Sequence, residues 1–342
     1  MTALDGSDAD ILLEVDDLTV SYHMGMRRPP FRAVRDITFK VARGETVSIV
    51  GESGSGKSTI GGAILGLRAI ESGSIRLQGE DITNAGIKRR RAIARHIQAV
   101  FQDPFSSLDP KLTIGESVAE PLTIGARPRR DETLRSVTET LGRVGIGADA
   151  LRRFPAEFSG GQRQRVSIAR SIIRTPELIV CDEAVSALDV SVQAQVINLL
   201  ADLKADSGTS YLFISHNMAV VRHISDRVIV LYKGRIMEQG PAADVCDQPA
   251  HPYTRSLIAA VPVPNVAVQE QRRTARSLAA KPSVVAGDVQ DGCPFAPRCP
   301  FARPACTTSG DVRLVGVGPG RSAACLRLDE VLRTASASPV IW

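Results

Sequence analysis

Aromatic residues are scarce, 4% of 342 with a single tryptophan, and none lies within the two basic runs, Lys88-Arg89-Arg90-Arg91 and Arg127-Pro128-Arg129-Arg130. Bases need aromatic faces to stack on, so no platform for single-stranded nucleic acid is present. No stretch of about 18 apolar residues occurs, so no segment reads as a membrane-spanning helix. The opening MTALDGSDAD lacks the basic-then-apolar pattern of a secretory leader, and a cytoplasmic protein is expected. There is no internal repeat and no low-complexity tract. Charge of one sign is also in short supply. Lysine and arginine number 42 against 37 acids, a net +5, and the basic runs read as solvated surface.

What remains is ordinary globular material. Apolar residues are 43% and charged residues 23%, which excludes a disordered, collagen-like or disulfide-stapled chain. The length suggests about two domains. Strands are expected at Ile11–Val15, Leu18–Tyr22, Val34–Val41 and Glu45–Val50, the last running into a glycine loop and a helix from Lys57 to about Leu67. Gly73 to Leu77 reads as a further strand followed by a turn. Residues of about 105–173 carry the helical period, broken near 121, 128, 145 and 155. Strands return at Leu178–Cys181, Ser210–Ser215 and Arg227–Leu231, and their alternation with helices predicts an α/β core. After a short helix at Ala250–Val261, residues 265–290 read as a linker, followed by a Cys/Pro cluster and a tail.

Three motifs carry chemistry. Gly51-Glu52-Ser53-Gly54-Ser55-Gly56-Lys57-Ser58-Thr59 fits G-x-x-x-x-G-K-[ST] between a strand and a helix. Glycines let backbone N–H groups and the helix N-terminus wrap phosphates; Lys57 reaches the β- and γ-phosphates, and Ser58 ligates Mg²⁺. Leu178-Ile179-Val180-Cys181-Asp182-Glu183 is a buried strand ending in acids. Asp182 there can hold the Mg²⁺ shell, and Glu183 can polarise water as general base. Phe158-Ser159-Gly160-Gly161-Gln162 opens a helix and forms a second anion-binding N-terminus. One nucleotide does not need two γ-phosphate cradles, so the second is expected to face the ATP of a partner subunit. Cys181 reads as a small buried hydrophobe.

With Ser186-Ala187-Leu188-Asp189 and His216 in the same order and spacing, residues 11–262 or so resemble the ATP-binding cassette (ABC) ATPases. The resemblance implies a P-loop core of parallel sheet and helices, an antiparallel β-subdomain and a helical subdomain, with two cassettes sandwiching two ATPs head to tail. It implies that Tyr22 stacks on adenine, that Gln102 senses Mg²⁺ and the attacking water, and that Ser159, Gly160, Gly161 and Gln162 face the partner's ATP. Asp189 would lie at the dimer seam and His216 on the γ-phosphate. Phe158 stands where leucine is usual. On this reading the nucleotide-binding domain is 1–262, with its helical subdomain at about 105–173, and 263–342 is a linker and Cys-rich extension.

Three further segments, Ala184–Gln195, His251-Pro252-Tyr253-Thr254-Arg255 and Phe101–Pro110, look like the dipeptide/oligopeptide importer ATPases, and more like the second, F-type, of their two ATPases. This implies a heterodimer with another ATPase, two permeases, an external substrate-binding protein, no nucleic acid, and a peripheral place on the cytoplasmic face of the membrane. An exporter ATPase is the nearer alternative, although the C-terminal extension counts against it. An ATPase of DNA repair or translation is the further one: the stretch from Thr59 to Phe158 contains no cysteine for an inserted zinc finger, and there is one cassette only.

Four of the six cysteines are late, in the pattern Cys293-x5-Cys299-x6-Cys306-x18-Cys325. In a reducing compartment such a group reads as a metal site before disulfides. Four thiolates can hold Zn²⁺ or a [4Fe–4S] cluster, and reduced thiols without metal are the remaining alternative. The spacing lacks C-x2-C knuckles, and the importer family's extension, some members of which carry a [4Fe–4S] cluster, has the same GCPFAPRCP-type pattern. Separation in sequence from every phosphate motif gives the cluster a structural role.

Overall fold

The structure, a computed structural model, describes residues 10–23, 25, 30–103, 107–124, 129–261, 270, 292–308 and 312–336. Most of the 265–290 linker, parts of the Phe101–Pro110 segment, and Arg127-Pro128 of the second basic run lie outside them.

Two sheets organise the chain. The smaller is antiparallel and four-stranded, in the order β2 (Phe31–Ala42), β1 (Ile11–Tyr22), β4 (Ser72–Leu77), β5 (Glu80–Asp81). The two short strands expected before residue 23 are one continuous β1, because register shifts near Asp16–Thr19 absorb the break in alternation. The larger sheet has eight strands. Its parallel part runs β9 (Arg227–Tyr232), β3 (Thr46–Val50), β8 (Ser210–Ser215), β7 (Leu178–Asp182) and β6 (Ile97–Val100). Strands covered on both faces should be apolar throughout, and β3 and β8 are buried at every position.

One face of this sheet packs on the small sheet and the helix Lys57–Ile64. The other packs on helices Ile114–Thr123, Arg130–Arg143, Gly160–Ile172 and Val190–Ser207. Cys181 sits in that second core with no exposure, and burial pushes its thiol far above the usual range, which makes it the inert hydrophobe expected.

By sequence the residues after the cysteine cluster read as a tail. Instead, the antiparallel β10 (Arg235–Pro241) carries β12 (Arg321–Ala323), which carries β11 (Val315–Gly318), so the chain's end extends the central sheet. An ion pair pins this edge. Glu238, fully buried, accepts from Arg321 Nη2 at 2.7 Å and from the Ala250 and His251 N–H groups at 2.9 Å each. Arg321→Met should cost about 3 kcal/mol, because it strands a buried carboxylate charge without its cation. Chemical denaturation measures this, and an unchanged midpoint would show that the pair pins nothing.

Candidate nucleotide site

Strand β3 ends at Val50, and Gly51–Gly56 curls directly into the helix at Lys57. Two glycines there have no substitute. A Cβ on Gly51 would lie 2.1 Å from the Leu231 carbonyl oxygen, and one on Gly56, at φ 105°, would lie 2.5 Å from that of Ala33. The loop is thus wedged between β2 and β9. Lys57 is 4% exposed. Its Nζ donates to the Gly51 and Glu52 carbonyls, both at 2.9 Å. Burial lowers its pKa, while the charges of Glu183 and Asp182 act to raise it. An ammonium held on backbone carbonyls beside two acids is ready to exchange those acceptors for phosphate oxygens.

The acids come from the neighbouring strand ends. β7 pairs with β8 and β8 with β3, all parallel, so Asp182 emerges on the same edge as the loop. Ser58 Oγ donates to Asp182 Oδ1 at 2.8 Å, and burial raises the Asp182 pKa against that hydrogen bond. Ser58 Oγ and the Asp182 carboxylate form the hard oxygen pair that suits Mg²⁺. Glu183 adopts φ 49°, a left-handed conformation that costs a non-glycine residue free energy. The turn is held from both sides: Glu183 N–H donates to the Ile214 carbonyl at 3.0 Å, and its own carbonyl accepts from Ser186 N–H and Oγ at 3.0 and 2.9 Å. His216 Nδ1, just beyond β8, lies 3.4 Å from Glu183 Oε1.

Tyr22 is brought to the same helix, its hydroxyl 3.0 Å from Thr59 Oγ1 and the Arg68 guanidinium 5.8 Å from its ring centre. Gln102 lies two residues beyond β6 and is exposed. Ser159 caps the helix Gly160–Ile172 with a full capping box: its Oγ accepts from Gln162 N–H, and its N–H donates to Gln162 Oε1. Ser159 and Gln162 are exposed, so this N-terminus opens to solvent. Asp189, also exposed, caps Val190–Ser207 by accepting from Val192 N–H at 3.0 Å. That bond and the one from Ser191 hold its carboxyl below the usual range.

Sequence reasoning missed what stands behind the loop. Tyr253 OH accepts from Glu52 N–H at 2.8 Å, and Arg298 donates to both Glu52 carboxylate oxygens at 2.8 Å. Arg298 adjoins Cys299, so the cysteine segment is remote from the phosphate motifs in sequence only. That overturns the ground for treating it as isolated from them. Glu52 and Arg298 are 246 residues apart, and no local pattern links them.

Cys293, Cys299, Cys306 and Cys325 line one pocket of about 10 Å³ with His251. That is about the room one water takes. Among the described residues no three Cys, His, Asp or Glu side chains are gathered as a metal ion requires. Burial pushes the Cys293 thiol to about 11 and Cys299 to about 12. The expected Zn²⁺ or [4Fe–4S] site thus finds no ready-made ligand set among the described residues.

Fold and site together define a P-loop cassette that binds and hydrolyses nucleoside triphosphates, with a second, capped helix N-terminus open to solvent. The chain belongs to the ABC transporter ATPases: the "ABC transporter" family pattern matches residues 34–186, and "Oligopeptide/dipeptide transporter, C-terminal region" matches 237–306. A putative peptide import ATP-binding protein of Brucella ovis is 44% identical over 305 residues, covering 89% of this chain and 95% of its own. The oligopeptide transport ATP-binding protein OppF of Escherichia coli K12 is 43% identical over 328 residues, covering 93% and 97%. Among solved structures, cbiO1 of Clostridium perfringens, part of the ABC transporter complex cbiONQ, matches at TM-score 0.62 and 27% identity over 69% of this chain and 90% of its own. The cassette MJ0796, in a dimeric post-hydrolysis state with ADP and Pi, matches at 0.62 and 27% over 68% and 99%.

Proposed function

We propose that this chain is the ATP-hydrolysing subunit that energises a peptide importer. The observation that carries the reading is the convergence of Lys57, the Ser58–Asp182 pair and the Glu183–His216 pair on one edge of the sheet. The peptide-import names of the relatives and the match to the oligopeptide transporter C-terminal region support the importer over an exporter or a DNA-repair or translation ATPase.

ATP would lie with adenine on Tyr22 and its phosphates along Gly51–Thr59. Mg²⁺, held by Ser58, Asp182 and Gln102, would draw charge from the phosphate oxygens. Glu183 takes a proton from the attacking water, with His216 holding Glu183 and the γ-phosphate in line, while Lys57 neutralises charge as the bond to the β-phosphate breaks. The solvent-open helix end at Ser159–Gln162 supports a head-to-tail dimer in which it and Asp189 meet a second ATPase's nucleotide. Among the described residues no helix is long and apolar enough to cross a membrane. Two permeases at the inner face and an external binding protein complete the assembly. On this reading 1–262 is the nucleotide-binding domain, with a helical subdomain at about 105–173. Residues 263–342 are the peptide-importer extension. Its four cysteines share one pocket, which supports a metal role, and the pocket's small size opposes it; iron, sulfide and zinc analysis of anaerobically purified protein decides.

Capturing the chain from detergent-solubilised membranes tests the assignment. Two permeases and a second cassette should come with it, and peptide uptake should fail when the chain is deleted. Recovery of ribosomal or DNA-repair proteins with no permease would overturn the importer reading.

A further inference from the structure

Glu52 is tied down at three points. Its N–H donates to the Tyr253 hydroxyl at 2.8 Å, its carbonyl accepts from Lys57 Nζ at 2.9 Å, and its carboxylate accepts both guanidinium bonds of Arg298 at 2.8 Å. Arg298, though half-exposed, has two aromatic neighbours. It lies in the short turn between Cys293 and Cys299, its guanidinium 5.5 Å from the Phe295 ring centre and 5.9 Å from that of Tyr232. Those rings in turn pack on Tyr253, with centroids 5.3 and 4.5 Å away. Tyr253 of the helix Pro252–Ala259 and Arg298, joined through the Tyr232 and Phe295 rings, therefore hold one residue of the phosphate loop by its main chain and its side chain.

We propose that Arg298 is a positioning residue for the nucleotide site. Through Glu52 it fixes the carbonyl on which the Lys57 ammonium rests, and the cysteine-bearing segment serves as the back wall of the phosphate loop. Two parallel bonds fix both the distance and the plane of the Glu52 carboxylate, which a single contact would not do. The idea rests on the ATP-binding reading above and adds to it which part of the chain sets the geometry of that site.

The test is a double-mutant cycle on the full-length chain, read as the affinity for AMP-PNP with Mg²⁺ and for MgADP. The half-exposed setting of the pair keeps the expected effect moderate. Arg298→Ala and Glu52→Ala should each weaken binding about three- to tenfold, and the double variant should be no weaker than either alone. Arg298→Lys, which keeps the charge and gives up the paired geometry, should fall between wild type and Arg298→Ala. Glu52→Ala leaves the C-terminal segment intact, so a folding defect there cannot mimic the result. Wild-type affinity in Glu52→Ala, or losses that add in full in the double variant, would overturn the proposal. Nucleotide binding by the unsubstituted chain tests the ATP reading separately: if it binds none, that reading fails and the positioning role falls with it.

Discussion

Glu183→Gln should leave a cassette that loads ATP with affinity within about threefold of wild type and hydrolyses it at least about a hundredfold more slowly, the low end of what a positioned general base contributes. The substitution keeps the side chain's length and its capacity to hydrogen-bond His216, and it removes only the ability to take a proton from water. The backbone argues that the geometry will survive. The left-handed turn at φ 49° is secured by the Ile214 carbonyl and by Ser186, both through the Glu183 main chain. The replacement must still tolerate that turn. Glutamine pays the same conformational cost as glutamate, so stability should change little. Single-turnover phosphate release beside nucleotide titration separates the two quantities. Hydrolysis within tenfold of wild type would remove Glu183 from the role of base and move attention to His216.

Lys57→Ala should have the opposite signature, with a defect already at loading. The ammonium is 4% exposed, faces Asp182 and Glu183, and is the buried positive charge the loop offers to a triphosphate. Without it the phosphates meet two acids uncompensated, and affinity for MgATP should fall by roughly a hundredfold, with turnover below detection. In the empty chain the substitution also leaves Asp182 and Glu183 without that cation and the Gly51 and Glu52 carbonyls without their donor, so the melting midpoint should fall as well. Binding by isothermal titration together with a thermal melt checks both statements. A variant that binds MgATP as well as wild type would show that the backbone cradle alone suffices. The two substitutions thus give distinct phenotypes: one chain holds ATP without cutting it, and the other does not hold it.

How much was legible beforehand follows from how local each feature is. The phosphate loop, the strand-end acids and the Ser159 cap are short stretches whose residue types are dictated by their own backbone, so reading nine or six residues at a time is enough. Leu178–Cys181 reads as a doubly covered strand because nothing polar interrupts it. The edge strands Val315–Gly318 and Arg321–Ala323 read as a tail in sequence because one is broken by glycines and the other is three residues long. Only their pairing to β10 makes them strands. Glu238–Arg321 and Glu52–Arg298 are 83 and 246 residues apart, and neither partner is unusual in its own neighbourhood. The same gap hides the place of the cysteines, because distance along the chain is not distance in space.

The Arg298–Glu52 contact also orders events in time. A ribosome adding about 5–20 residues per second needs roughly 12–50 s to make the chain between those two residues. For that interval the phosphate loop exists without its back wall, and the sheet without its last strands. On the positioning role proposed for Arg298, the phosphate loop of a nascent cassette lacks that brace until residue 298 emerges. Synthesis would then act as a timer, withholding the fully braced site from any chain that stops before residue 298.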